Sequence, residues 1–335
     1  MHEFVTGGGW PGPDVPESLG AEALAMLCAV LADFQAWGRF PIFTTLDRRL
    51  GRVSLPAQRV VCLDAEAYPT SLVSVARQCS AALIIAPESG RTLERLSALV
   101  EDTDVRLLGS RPEGVAVAAD KWECYRRFVR GGLPTPETLR TTPARARDAA
   151  EDLGFPVVVK PINGAGCEGV GLVPHADLLE AALEQPAFGD AEWLLVQRYV
   201  GGTAASVSLL VAGEESMALS LNEQWVRTGI PFDYQGGVAF ASHPRRAEAF
   251  DLARRAAALV PGLRGYVGVD LVLGDQGCSL IEINPRLTTS YVGLRRVIDI
   301  NMAEAIWRAC SEAVLPESAV ATGEAAFRKE RLCGR

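Results

Sequence analysis

Near its C-terminal end the chain carries two strand-length segments, GVDLVL (268–273) and SLIEINPR (279–286), around a short turn at 274–277. This pair constrains the fold more than any other stretch. Apolar residues at 269, 271, 281 and 283 alternate with Asp270, Glu282 and Asn284. Side chains alternate across a strand, so Glu282 and Asn284 share one face, and an antiparallel hairpin sets that face opposite Asp270. Three oxygen-bearing side chains brought to one spot suit a hard cation, magnesium or manganese, held partly by substrate phosphates. A solvated polar sheet face is the alternative, and it does not explain why the apolar residues keep so strictly to the other face. Arg286 follows directly, and its guanidinium could grip a terminal phosphate or an acyl-phosphate as a catalytic group, or form a surface ion pair.

Upstream, FPVVVKPINGAGCEGVGLV (155–173) places Lys160 on an apolar strand before a loop with glycines at 164, 166, 169 and 171. Glycine lets backbone N–H groups approach phosphate oxygens closely. The lysine precedes the glycines, so the segment is not a GxxxxGK[ST] loop and reads as a flap over a triphosphate. Lys121, at the start of a helical stretch that ends at Gly131-Gly132, offers a second cation. LLVQRYVGG (194–202) is an apolar strand whose exit, Gln197, Arg198, Tyr199 and Val200, could meet an adenine edge and ring.

The first third alternates strand-like runs with helical periods: strands at 4–9, 41–47, 59–64, 81–88 and 105–110, helices at 17–37, 69–79 and 90–100. That alternation predicts a parallel sheet with helices on its faces. Beyond Pro134 and Pro136 the pattern changes to strand pairs of antiparallel character. The expected units are 1–115 (α/β), 116–192 (a lobe with the glycine loop), 193–316 (a lobe with the metal site) and 317–335 (a polar tail forming a frayed helix).

A net charge of −8 over 335 residues, with pI near 5.1, argues against nucleic acid as a partner. Eight cysteines fall singly, without metal-ligand spacing, and read as reduced core residues. Glu22 and Asp33 interrupt the apolar run from Ala21 to Phe34, so a core helix is expected there and no membrane span. The expectation is a soluble, cytoplasmic protein acting on small molecules, with a homodimer left open.

Taken in order, Lys121, Lys160 with its glycine loop, Gln197 to Val200, Asp270, Glu282, Asn284 and Arg286 resemble the ATP-grasp superfamily. The resemblance implies an ATP-grasp fold, α/β and α+β, behind an N-terminal Rossmann-like (pre-ATP-grasp) domain. It also implies ATP and magnesium, with Lys121, Lys160, Gly164, Gly166 and Gly169 at the phosphates and residues 197–200 at adenine. The activity implied is joining a carboxylate to an amine through an acyl-phosphate. One departure is that Ala204 and Ala205 stand where many relatives carry a ribose-binding acid, with Ser206 a weak substitute. FVTGGG (4–9), SVSLL (206–210), LNEQ (221–224) and YQGG (234–237) resemble the branch that joins the γ-carboxylate of glutamate to tyramine. Asn222, Gln224, Tyr234, Gly236, Gly237 and Arg286 are the expected substrate residues. Another acid and amine pair, or a nucleotide-binding module without turnover, are the competing readings.

Overall fold

The computed structural model describes residues 1–51, 53–189 and 191–328. The last seven residues of the expected tail, Cys333 among them, lie outside the described ones. The N-terminal unit runs β1 (His2–Glu3), α1 (Glu17–Trp37), β2 (Phe43–Asp47), β3 (Arg59–Leu63), α2 (Thr70–Ala76), β4 (Ala81–Ala82), β5 (Ile84–Ile85), α3 (Thr92–Glu101), β6 (Arg106–Leu107) and α4 (Pro112–Ala119). Its strands pair in parallel, β1 with β5, β2 with β3 and β4 with β6, as the alternating pattern predicts. The first strand is shorter and earlier than expected. Val5–Gly9 coils instead, with Gly8 at φ 98°, and Glu3 accepts the Val5 and Thr6 N–H groups at 3.1 and 2.7 Å.

A four-stranded sheet follows, built from α5 (Lys121–Arg130), β7 (Thr138–Thr141), α6 (Ala146–Leu153), β8 (Val157–Pro161), β9 (Gly171–Val173), α7 (Leu179–Leu183) and β10 (Leu194–Arg198), in the order β7-β10-β8-β9. The Asp120 carboxylate caps α5 by accepting the Glu123 N–H at 2.9 Å, which fixes where Lys121 begins the helix. β10 belongs to this sheet, between β7 and β8, although the expected division at 192/193 assigns it to the next lobe. The cause is register: Val196 lies opposite both Val159 and Leu139, closing one apolar layer over α6.

The largest sheet is antiparallel and six-stranded. It comprises β11 (Thr203–Ala212), β12 (Glu215–Arg227), β13 (Asp233–Ala239), β14 (Gly265–Gly274) and β15 (Gly277–Asn284), with α8 (Arg246–Ala258) between β13 and β14. After α9 (Tyr291–Leu294) and α10 (Met302–Glu312), β16 (Ala325–Arg328) pairs with β13 at its edge. The tail therefore does not begin as the expected helix, because Ala325 and Phe327 alternate into the core while Ala326 and Arg328 point out. One sheet face buries Val207, Leu209, Val267, Val269, Leu280 and Ile283 against α8 and α5. The other packs Leu210, Tyr266 and Phe327 against α1, α9 and α10.

By length and hydropathy α1 could cross a membrane, yet half of its most apolar window is buried within the fold. Asp33, in its midst, accepts the Tyr291 hydroxyl at 2.6 Å and two N–H groups of Arg295 at 2.9 and 2.6 Å, fastening the N-terminal unit to the large sheet. Asp33→Ala strands a buried hydroxyl and a half-buried guanidinium. We expect it to lower unfolding free energy by about 2–4 kcal/mol, read from the urea midpoint at constant slope.

Candidate active site

The hairpin geometry follows from register. Asp270 on β14 lies directly opposite Glu282 on β15, and Gly268 opposite Asn284. A bulge between Asp270 and Leu271 leaves Ile281 as the extra residue, because Leu271 pairs with Leu280. Leu280 and Ile283 therefore enter the core while Ile281 turns to a cavity wall, against the plain alternation that puts 281 beside 283. The Asn284 and Gln224 amides donate to the two Asp270 oxygens, each at 3.1 Å.

Burial, and then the neighbouring Glu282 charge, push Asp270 up to about 8. Burial acts the same way on Glu282, but Lys121 and Lys160 outweigh it and hold that carboxyl below its ordinary value. The Lys121 ammonium lies 3.1 Å from Glu282 and donates to the Gly164 carbonyl at 2.8 Å. Burial pulls Lys160 down to about 8; its ammonium donates to Gln197 Oε1 at 2.9 Å, and Gln197 Nε2 donates to Thr138 at 2.8 Å. The two lysines thus balance Glu282, and Asp270 is left short of positive charge. Among the described residues no three His, Cys, Asp or Glu side chains converge on one point. Two carboxylates and an amide make an incomplete cage, which suits magnesium, an ion that keeps waters and shares its remaining positions with phosphates.

Two cavities meet here. One, of about 150 Å³, lies between the sheets, with Lys121, Lys160, Gly166, Tyr199, Val200 and Ile281 in its wall. The other, of about 700 Å³, opens between the N-terminal unit and the large sheet, lined by Trp10, Glu22, Asn222, Tyr234 and Arg286. Gly166–Glu168, Gln224, Asp270 and Glu282 line both.

Several expected roles change in this geometry. The Arg198 and Tyr199 N–H groups donate to the Glu137 and Pro156 carbonyls, so the strand exit turns both of these amides to backbone, while Tyr199 and Val200 line the smaller cavity. Gln197 lines the smaller cavity, and its side chain is held between Lys160 and Thr138. Gly164 and Gly166 line the smaller cavity, whereas Gly169, at φ 69°, sits where a Cβ would come within 2.5 Å of Ala187. The Arg286 fork meets Glu88 from the N-terminal unit at 2.9 and 3.0 Å, and Nη1 donates to the Leu287 carbonyl. Burial opposes that charge, but Glu88 restores it and more, so the guanidinium stays charged. Asn222 is 1% exposed, and its amide is engaged by Ser206, Ser208 and Ser220. Ser206 lies in the larger cavity, away from the Ala204 position in the smaller one. Gly236 and Gly237 line neither cavity; a Cβ on Gly237 would fall 2.1 Å from the Glu223 carbonyl of the adjoining strand.

Glu88, Thr138 and the wall contributed by α1 carry no signal in the sequence. Glu88 and Arg286 are 198 positions apart, and nothing local to either names its partner.

An ATP-grasp domain model matches residues 118–290, just over half the chain, and a pre ATP-grasp 3 domain model matches 40–115. The chain belongs to the ATP-grasp family. It is 32% identical over 214 residues to tyramine–L-glutamate ligase of Methanocaldococcus fervens, covering 64% of this chain and 61% of that protein. The chain thus spans about three fifths of that relative's length. The crystal structure of an ATP-grasp superfamily protein from Archaeoglobus fulgidus superposes with a TM-score of 0.71 at 27% identity, over 98% of this chain and 97% of that one. Biotin carboxylase of Campylobacter jejuni in complex with β-γ-ATP shares the fold, with a TM-score of 0.75 at 18% identity over 90% and 72% of the two chains.

Two substitutions check this geometry. Gly237→Ala is expected to loosen β12–β13 pairing and lower the melting temperature, since the clash is with backbone. A variant of unchanged stability that lost only ligand affinity would return Gly237 to the substrate wall. For Lys160, the folded value near 8 lies below the ordinary value of 10.5, so the buried ammonium costs stability below pH 8 and the cost fades as pH rises toward 10.5. Relative to Lys160→Met, the wild type should therefore gain up to about 3 kcal/mol across that window, read from denaturation midpoints at pH 7 to 10.5.

Proposed function

We propose that this protein is an ATP-dependent carboxylate–amine ligase that forms an acyl-phosphate and joins the γ-carboxylate of glutamate to tyramine, releasing ADP and phosphate. The observation that carries the reading is the shared wall of the two cavities. A triphosphate in the smaller one would end at Asp270 and Glu282, where the larger one begins, so its terminal phosphorus would face whatever carboxylate the larger one holds.

In this mechanism Lys160 and Lys121 bind phosphate oxygens from the side of the glycine loop, and the Tyr199–Val200 exit takes the adenine. Asp270, Glu282 and Asn284 would hold magnesium, which supplies charge neutralisation at the phosphates. The substrate carboxylate attacks the γ-phosphorus, ADP leaves, and the amine nitrogen then attacks the acyl carbon and displaces phosphate. No protein nucleophile is required; catalysis rests on positioning and on charges fixed before the reaction begins. Gly166–Glu168, lining both cavities, covers the junction and limits access of water to the acyl-phosphate. The tyramine–glutamate pair draws support from the curated relative and from a larger cavity walled by both aromatic and charged residues.

ADP release should rise when glutamate and tyramine are supplied together and stay at background when either is omitted. Stimulation by a different acid and amine would keep the ligase and replace its substrates; no stimulation across a panel of such pairs would leave a nucleotide-binding module. Glu282→Gln is expected to lower turnover at least a hundredfold; because it also takes the buried partner from Lys121, the comparison is made below the variant's own melting temperature, with circular dichroism showing that the fold is kept. Retained activity in that variant would remove Glu282 from the site.

A further inference from the structure

On the cavity face of the large sheet lies a chain of buried polar side chains that the ligase reading leaves without a role. Asn222, on β12, gives both protons of its amide to β11, donating to Ser206 at 3.2 Å and to Ser208 at 3.0 Å. Its oxygen accepts the Ser220 hydroxyl at 2.7 Å. The Ser208 hydroxyl lies 2.8 Å from that of Tyr266, which closes a triangle with Thr288 and Ser290 at 3.1, 3.2 and 2.8 Å. Gly268 leaves room for the triangle, since a Cβ there would meet Thr288 at 2.7 Å.

A hydroxyl has one proton to give and two lone pairs to receive with. Four hydroxyls, those of Ser208, Tyr266, Thr288 and Ser290, are joined by four hydrogen bonds, so each can donate once within the group. Ser206 stands apart. Among the described residues its one hydrogen bond is the one it accepts from Asn222, so its own proton is left to give. The side chain is 4% exposed and lines the larger cavity. It pairs directly with Asp270 across β11 and β14 and shares its face, which sets the two Cβ atoms about 5 Å apart.

Other polar groups at this end are turned elsewhere or carry the wrong charge for the same task. Gln224 and Asn284 each give an N–H to Asp270, and Arg286 is held by Glu88 and the Leu287 carbonyl. Tyr234 enters from β13, three strands from Asp270. Glu3, Glu22 and Glu168 also line the cavity, and a carboxylate repels an oxygen that is gaining negative charge.

We propose that Ser206 is a catalytic hydrogen-bond donor, its hydroxyl held by Asn222 toward the carbonyl oxygen of the acyl-phosphate. The proposal rests on the ligase reading and supplies a group for its second step. As the amine nitrogen bonds to the acyl carbon, the carbonyl π pair moves onto that oxygen; Ser206 donates to the oxyanion and keeps its proton. The pair returns as the bond from carbon to the phosphate oxygen breaks. Phosphate leaves with the bonding electrons and takes the surplus proton of the nitrogen. A donor fixed beforehand in a buried site gains strength as charge gathers on its acceptor, so it acts on the rate more than on binding.

The test uses the full chain with ATP, magnesium, glutamate and tyramine, or whichever acid and amine stimulate ADP release, with ADP and amide measured separately by rapid quench. Ser206→Ala should lower kcat for the amide at least tenfold and leave the KM for ATP within twofold. It should also release a burst of about one ADP per site before slow turnover, because the amine step has become limiting. Ser206→Thr keeps the hydroxyl and should restore kcat. Ser206→Cys leaves an acceptor for Asn222 but is a weak donor; it should show the same loss and burst, and it serves alone if Ser206→Ala does not fold. Wild-type kcat in both Ser206→Ala and Ser206→Cys would overturn the proposal, as would a rise in KM alone, a loss without a burst, or Ser206→Thr no faster than Ser206→Ala. Failure of the ligase reading is seen separately, in wild type that releases no ADP with any acid and amine pair.

Discussion

Two carboxylates set opposite one another in an antiparallel sheet repel, and the repulsion grows as they leave water. Asp270 and Glu282 are such a pair, and much of the structure between residues 121 and 286 bears on them. Lys121 is brought in by a capped helix start and Lys160 by a buried strand; both act on Glu282, which stays ionised despite its burial. Among the described residues Asp270 takes its hydrogen bonds from two neutral amides, and burial with the Glu282 charge drives it up against the pull of Arg286. The imbalance is directional. It leaves the positive charge on the side of the glycine loop and the deficit at the boundary of the larger cavity, where a divalent cation with its phosphates would restore neutrality.

The N-terminal unit takes part in this site although Lys121, Lys160, Asp270 and Glu282 all lie outside it. Glu88 clamps Arg286 at the exit of β15, Asp33 holds Tyr291 and Arg295 just beyond, and Glu22 meets Thr289 between them. Three acids from one unit thus grip a ten-residue stretch that follows β15. The unit sets the position of that stretch and walls the larger cavity. A change in how it docks would therefore alter the larger cavity first and the smaller one second.

What the sequence made legible was whatever a local period encodes. The switch from alternating helices and strands to strand pairs separated the N-terminal unit from the lobes, and the alternation in GVDLVL and SLIEINPR put Asp270, Glu282 and Asn284 on a common face. Long-range pairing was hidden. Nothing in LLVQR says that it lies between β7 and β8, since an apolar strand fits either sheet. Arg286 looked available because its partner stands almost two hundred positions earlier. Gly236 and Gly237 suggested a binding loop because glycine is ambiguous: it lets a ligand come close, or it lets a neighbouring backbone come close, and here it does the second. The tail read as helical from its alanines, yet a period-two contact with β13 overrode that propensity.

The bulge at Ile281 has a consequence for how this hairpin can vary. A strand without it would keep Ile281 in phase with Ile283 and present a wall with no apolar ledge between the acid and the turn. With it, the C-terminal half of β15 is offset by one position from its N-terminal half, so the two halves keep time separately. Removing Ile281 alone would leave the turn intact and take that offset away, yet Leu280 would still meet Leu271 and Glu282 would still meet Asp270. The pairing can therefore survive with one residue fewer. What would be given up is the apolar side chain that walls the smaller cavity beside Glu282. The extra residue is thus spent on the shape of the cavity and not on the register of the sheet.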